Sequence, residues 1–226
     1  MQPFLVLFEV MHTHDRTQDT AKTNHAASSP PSDRQGAGSD EIARILDATL
    51  AEMVECSPKA PRIVDIAKRA RMSTKTIYVF FPTKDDLLAA LLARVTELSR
   101  SYLEHQMTGH TDPKDQIGAW IRTSLARLTS PEAARLARPV LLQLARSSPQ
   151  RVLYGGNADY EITVRQLLHE PLRRCGSDDF ERDAHVIGDL VFGMSRRFLW
   201  GEQYASTEDI EHVVECCLAR FTVPTR

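Results

Sequence analysis

The sequence predicts an all-α protein with an N-terminal three-helix domain and a larger C-terminal helical domain. Three observations lead there. Apolar residues recur at three- and four-residue spacing through most of the chain after residue 39, and no segment reads as a strand or an internal repeat. The stretch Pro61 to Leu88, PRIVDIAKRARMSTKTIYVFFPTKDDLL, divides into two short helical segments separated by a break. Positive charge is concentrated in the same place. Lys59, Arg62, Lys68, Arg69, Arg71, Lys75 and Lys84 face only Asp65 between residues 59 and 84, a net of +6 in a chain whose formal charge is −2. Phosphate binding requires such a concentration.

From the beginning, MQPFLVLFEVM is apolar but lacks a basic n-region, carries Glu9 and has no small-residue cleavage site, so it does not read as a signal peptide. Met11 is a candidate alternative start. Residues 12 to 39 are rich in Thr, Ser, His, Pro, Gly and Gln and nearly devoid of apolar side chains. They cannot bury enough surface to offset ordering entropy, so residues 1–38 are expected to form a disordered arm. With Arg16, Lys22 and Arg34 as its only basic residues, the arm is ill suited to the minor groove. Folded structure is expected from Ser39 or Asp40, good caps, with Asp40 and Glu41 in the first turn. Ile42, Ile45, Leu46, Thr49, Leu50 and Met53 form one apolar stripe. Pro58 and Pro61 punctuate the loop that follows.

In the central stretch, Ile63, Ile66, Ala67 and Ala70 fall on one helical face. After the break at Arg71-Met72, Ser73 is placed to cap a second helix, Thr74 to about Phe81, which Pro82 stops. Thr83 can cap the next helix. Two short helices joined by a tight turn are a helix-turn-helix, whose second helix enters the major groove of double-stranded DNA. Thr74, Lys75 and Thr76 open that helix, where short side chains approach base edges. Lys75 can donate to guanine O6 and N7, and a threonine methyl can meet a thymine methyl. Lys84, with the amides that open the following helix, is placed for phosphate. The expected small core is Ile63, Ile66, Ala67, Ile77 and Phe81.

The run Ile63-Val64-Asp65-Ile66-Ala67 through Ser73, then Thr76-Ile77-Tyr78, Phe81-Pro82, Lys84 and Leu87-Leu88, resembles the signature of the tetracycline-repressor (TetR/AcrR) family. The resemblance covers Ile42 to about Leu92. It implies an all-helical homodimer with a DNA-binding domain, here 39–84, and a C-terminal effector-binding and dimerisation domain, here 85–226. It also implies that the Tyr78 hydroxyl contacts phosphate. Three positions depart from the pattern. Arg71 stands in the turn where the family usually has glycine, which implies about 1 kcal/mol of left-handed backbone strain. Pro61-Arg62 replaces a threonine, so Arg62 is expected to take over its phosphate contact. Val79 and Phe80 replace basic residues or histidine, which points to an operator richer in thymine methyls.

The remaining helices are expected at Lys84 to about Met107, Lys114 to Thr129, one from Pro131 kinked at Pro139, Ala158 to Arg174 stopped by Gly176, Asp178 to about Tyr204, and Thr207 to Phe221. Gln150 to Asn157 reads as a loop. The last two helices are the expected dimer contact, through Ile187, Val191, Met194, Phe198, Val213, Val214 and Cys217. Gly188, Gly193 and Gly201 in one helix suggest close approach of another helix or a ligand. A two-fold dimer sets its reading helices about 34 Å apart and predicts a palindromic operator. Trp120, Tyr160, Phe192 and Trp200 are the large side chains available to an effector pocket, which favours a lipophilic or aromatic small molecule; each reads equally well as plain core.

Composition excludes other classes. At 42% apolar and 26% charged, with no apolar run near the roughly 20 residues that span a bilayer, the chain is neither membrane-embedded nor wholly disordered. Cys56, Cys175, Cys216 and Cys217 form no CxxC pair, which fits a reducing, cytoplasmic setting with no structural metal. Cys216-Cys217 reads as small core residues, with oxidant or soft-metal sensing as the alternative. His105 and His110 lack ligand partners. No GxSxG, P-loop, HExxH or paired Glu and ExxH element appears, so neither an enzyme nor a cofactor is expected. Two readings stand: a ligand-responsive repressor, and a DNA-binding regulator that is constitutive or controlled by a protein partner.

Overall fold

In a computed structural model, residues 33–56, 59–126, 129, 158–200 and 205–221 are described. Every element among them is helical: α1 (Asp33–Glu55), α2 (Ile63–Ala70), α3 (Thr74–Phe80), α4 (Lys84–Thr108), α5 (Pro113–Leu125), α6 (Ala158–Arg165), α7 (His169–Arg174), α8 (Phe180–Trp200) and α9 (Thr207–Leu218), with 3₁₀ turns at Gln166–Leu168 and Ala219–Phe221. No helix among the described residues is long and apolar enough to cross a membrane. The expected helix from Pro131, its kink at Pro139 and the loop Gln150 to Asn157 lie outside the described residues, as does most of the expected arm. Helix α1 already begins at Asp33, earlier than the Ser39 or Asp40 caps suggested.

The described residues divide into two compact units, 33–94 and 95–221. The first is the three-helix unit together with the opening of α4. Ile45, Leu50 and Met53 of α1, Ile66 of α2, Ile77 of α3 and Leu87 and Leu91 of α4 are all buried. The unit closes at Arg94 because that residue pairs with Asp47 of α1 at 2.9 Å and Lys84 donates to the Pro61 carbonyl at 2.9 Å. Thr83 and Asp86 cap α4 reciprocally: the Asp86 amide donates to Thr83 Oγ1 at 3.1 Å and the Thr83 amide to Asp86 Oδ2 at 3.0 Å.

The second unit packs α5, α6, α7, α8 and α9 around Ile117, Trp120, Ile121, Leu125, Val164, Leu168, Val191 and Phe192. The single helix expected from Ala158 to Arg174 is broken by the 3₁₀ turn. Pro171 has no amide for the Leu167 carbonyl and its ring crowds that carbonyl, so the chain tightens just there. Trp120 Nε1 donates to the Val164 carbonyl at 2.9 Å, near the same junction. Gly176, at φ +78°, closes α7 with bonds from its own amide to Arg173 and from the Ser177 amide to Leu172. Ser206 and Asp209 form a capping box at the start of α9.

Of the side chains assigned to a dimer contact, Ile187, Val191, Phe198, Val213 and Val214 are buried in their own unit, and Met194 and Cys217 pack partly buried against that core. In the single chain the most apolar stripe of each helix is packed internally. Val186 and Leu190 stand exposed on α8 instead, and a methyl group added at Gly193 would meet nothing within 4 Å.

Candidate nucleic-acid interface

The interface is built on the angle between α2 and α3. Helix α2 ends in a Schellman motif: the Met72 amide bonds the Ala67 carbonyl at 2.9 Å and the Arg71 amide bonds Lys68 at 3.2 Å. Arg71 takes the left-handed conformation, φ 55° and ψ 45°, that the motif demands and that glycine supplies most cheaply. Ser73 then caps α3, its Oγ accepting from the Thr76 amide at 3.0 Å and sharing a 2.8 Å hydrogen bond with Thr76 Oγ1. Ile77 and Phe81 anchor α3 in the core.

That anchoring decides which face is offered outward. Lys75, Tyr78 and Val79, at i, i+3 and i+4, are exposed on one side of α3. Thr74 and Thr76 are half-buried, and Thr76 and Ser73 are engaged with each other. Val79 is 71% exposed on that face. An apolar side chain on that face suits a thymine methyl and cannot serve a phosphate.

Several of the seven cations are already committed. Arg62 holds Asp65 through two bonds of 2.6 and 3.0 Å, and the guanidinium keeps that carboxyl below its ordinary range. Arg69 bonds Glu52 at 2.7 Å and also Glu55, tying α2 to α1. Glu52 in turn accepts a hydrogen bond from the Cys56 thiol, which raises the thiol's pKa. Lys84 spends one of its three N–H donors on Pro61, and the opening of α4 carries Asp85 and Asp86. Asp86 thus occupies one of the amides that phosphate would use. Lys59, Lys68, Arg71 and Lys75 are exposed, with no ion-pair partner among the described residues.

Residues 45–91, the same stretch, match the family model described as bacterial regulatory proteins, tetR family. That segment of the chain is similar to the tetR family. The helix-turn-helix lies within the matched residues, and the family and the matched relative are transcriptional regulators. That relative, the HTH-type transcriptional regulator HbdR of Aromatoleum sp. (strain CIB), is 27% identical over 124 residues, 53% of this chain. The match spans 51% of HbdR, so the chain covers about half the length of the relative. Among solved structures, a transcriptional regulator from Rhodococcus sp. Rha1 superposes with a TM-score of 0.61 at 20% identity, covering 81% of this chain and 99% of that one. The fatty acid degradation regulator FadR from Bacillus halodurans gives 0.54 at 21% identity, covering 77% and 96%. These likenesses show a shared all-helical fold.

In the second unit, three of the four large side chains considered for an effector pocket are brought together. The Trp120 and Phe192 rings meet edge-on with centroids 5.9 Å apart, and Tyr160 lies 6.3 Å from Phe192. The Trp200 side chain lies outside the described residues. Cys217 is pushed up to about 11 by burial, so its thiol stays protonated at neutral pH, whereas Cys216 is exposed beside His212 at 3.6 Å.

Proposed function

We propose that this TetR-family regulator acts as a homodimeric repressor that a small lipophilic ligand releases from a palindromic operator. The observation that carries the reading is the outward face of α3, where Lys75, Tyr78 and Val79 are exposed while Ile77 fixes the helix from behind. Lys75 reads guanine, Val79 packs on thymine methyls, and the Tyr78 hydroxyl bonds phosphate. The dimer forms through the outer face of α8, where Val186, Leu190 and Gly193 fall at i, i+4 and i+7. Ligand binding in the second unit acts on α4, the helix that both units share, and favours a dimer form that fits only one half-site.

Selection of bound DNA from a random pool tests this. Wild type should enrich a palindrome with about one helical turn between half-site centres. Lys75→Ala should relax preference at one position per half-site, at a cost of about 1–3 kcal/mol in discrimination. Tyr78→Phe should weaken binding evenly over all sequences. Weak binding that depends on salt alone would sink the assignment. The alternative, a regulator with no small-molecule ligand, draws on the edge-on packing of Trp120 and Phe192. Operator binding indifferent to every lipophilic compound would favour it.

A further inference from the structure

We infer that Arg165 is the polar anchor of a ligand site in the C-terminal unit, and that its ligand is a lipophilic carboxylate. The inference rests on the ligand-responsive reading above and names the chemistry of the ligand. Arg165 closes α6 and is only 8% exposed. Among the described residues its Nε has no hydrogen-bond partner. One of its Nη atoms reaches Asp189 at 3.3 Å, but that carboxylate is 73% exposed and shared with water. Glu161, one turn earlier on α6, is held by Arg196 at 2.7 Å. The Arg165 Cζ stands 5.8 Å from the centre of the Phe192 ring, so the cation rests against an aromatic wall that Trp120 and Tyr160 extend.

Helix α8 is shaped to receive this group. A Cβ at Gly188 would lie 2.6 Å from Arg165 Nε. Glycine weakens a helix interior relative to alanine, and an incompletely paired buried charge is costly to the fold. The sequence accepts both at one point, which structural packing alone does not reward. A second orphan lies on the same face of α8: the Ser195 hydroxyl, 3% exposed and without a partner. Gly188, Phe192 and Ser195 sit at i, i+4 and i+7, so the two unsatisfied groups are spaced about 10 Å apart along the helix with an aromatic ring between them. A guanidinium fork with a free Nε–H calls for a planar anion with two oxygens, and the aromatic wall calls for an apolar body. Ser195 meets a second polar atom farther along the ligand.

The test uses the full chain and four probes: 4-phenylbutyrate and decanoate, and the neutral alcohols 4-phenylbutanol and decanol. Affinity is read by calorimetry, and release from selected operator DNA by fluorescence anisotropy. At least one carboxylate should bind about tenfold or more tighter than its alcohol. Arg165→Met should abolish that preference and leave alcohol binding unchanged. Its Tm should match or exceed that of wild type, because an apolar side chain replaces a poorly paired buried charge. Gly188→Ala keeps the charge but displaces the guanidinium, so it should weaken carboxylate binding alone, and it carries the test if Arg165→Met does not fold. Equal affinity for acid and alcohol, no binding of either acid, or a preference that survives both substitutions would overturn the inference. Release of DNA by the carboxylates that is undiminished in Arg165→Met would overturn it too, yet leave the ligand-responsive reading standing. Failure of all four probes to affect operator binding would remove both.

Discussion

Arg71 occupies a backbone position at which most side chains are strained. It is the sole non-glycine residue with positive φ among the described residues, and it stands in the turn that sets α3 against α2. The left-handed conformation costs roughly 1–2 kcal/mol, while a glycine there would add some freedom to the unfolded chain. Arg71→Gly should therefore stabilise the protein by about 0.5–1 kcal/mol, measured by urea unfolding of the full chain. The same variant should bind operator DNA less tightly, since it gives up an exposed cation beside the reading helix. A variant that is both less stable and fully active would show that neither the strain nor the charge matters. The resemblance to the family pointed to this position, because the pattern puts glycine where Arg71 stands. The pairing of Arg62 with Asp65, and of Arg69 with Glu52 and Glu55, was not legible in the sequence. Charge counting reports how many cations a stretch holds, and only the fold shows which carboxylates α1 brings alongside them.

At the scale of elements, periodicity identified α1 to α4 well because each has one apolar face and clear caps at Ser73 and Thr83. It did not orient α8, which carries two apolar stripes. Ile187, Val191 and Phe198 form the stronger one, and Val186 and Leu190 the weaker. Spacing reveals that residues share a face but not whether that face meets the chain's own core or a second subunit, so the stronger stripe was assigned outward. In the single chain the stronger stripe is buried in the fold itself and the weaker one stays exposed. Leu190→Asp then separates the two roles. Leu190 is 42% exposed in the single chain, so the change should leave monomer stability within about 0.5 kcal/mol. A carboxylate facing its own symmetry mate should split the dimer, seen as a halved mass in sedimentation and a collapse of operator affinity. Ile187→Asp, by contrast, should unfold the C-terminal unit. A Leu190→Asp protein that remains dimeric would move the contact away from α8.

Over the whole molecule, the negative net charge and the local positive cluster make opposite demands on DNA binding. A chain at −2 gains little from general attraction to a polyanion, so affinity must come from the few cations left uncommitted near the reading helix. Lys68, Arg71 and Lys75, on α2, α3 and the turn between them, supply three per subunit, six in a dimer. If each neutralises one phosphate, the logarithm of operator affinity should fall against the logarithm of salt concentration with a slope of about −5. Anisotropy titrations over a range of potassium chloride measure it directly. Arg71→Gly, losing one cation per subunit, should bring the slope to about −4. A wild-type slope near −10 would mean that Arg62 and Arg69 leave Asp65, Glu52 and Glu55 to engage DNA. Because Arg69 ties α2 to α1, such a release would loosen the reading unit as it binds, and Glu52→Gln should then strengthen operator binding. With the ion pairs kept, Glu52→Gln should leave the slope where it is.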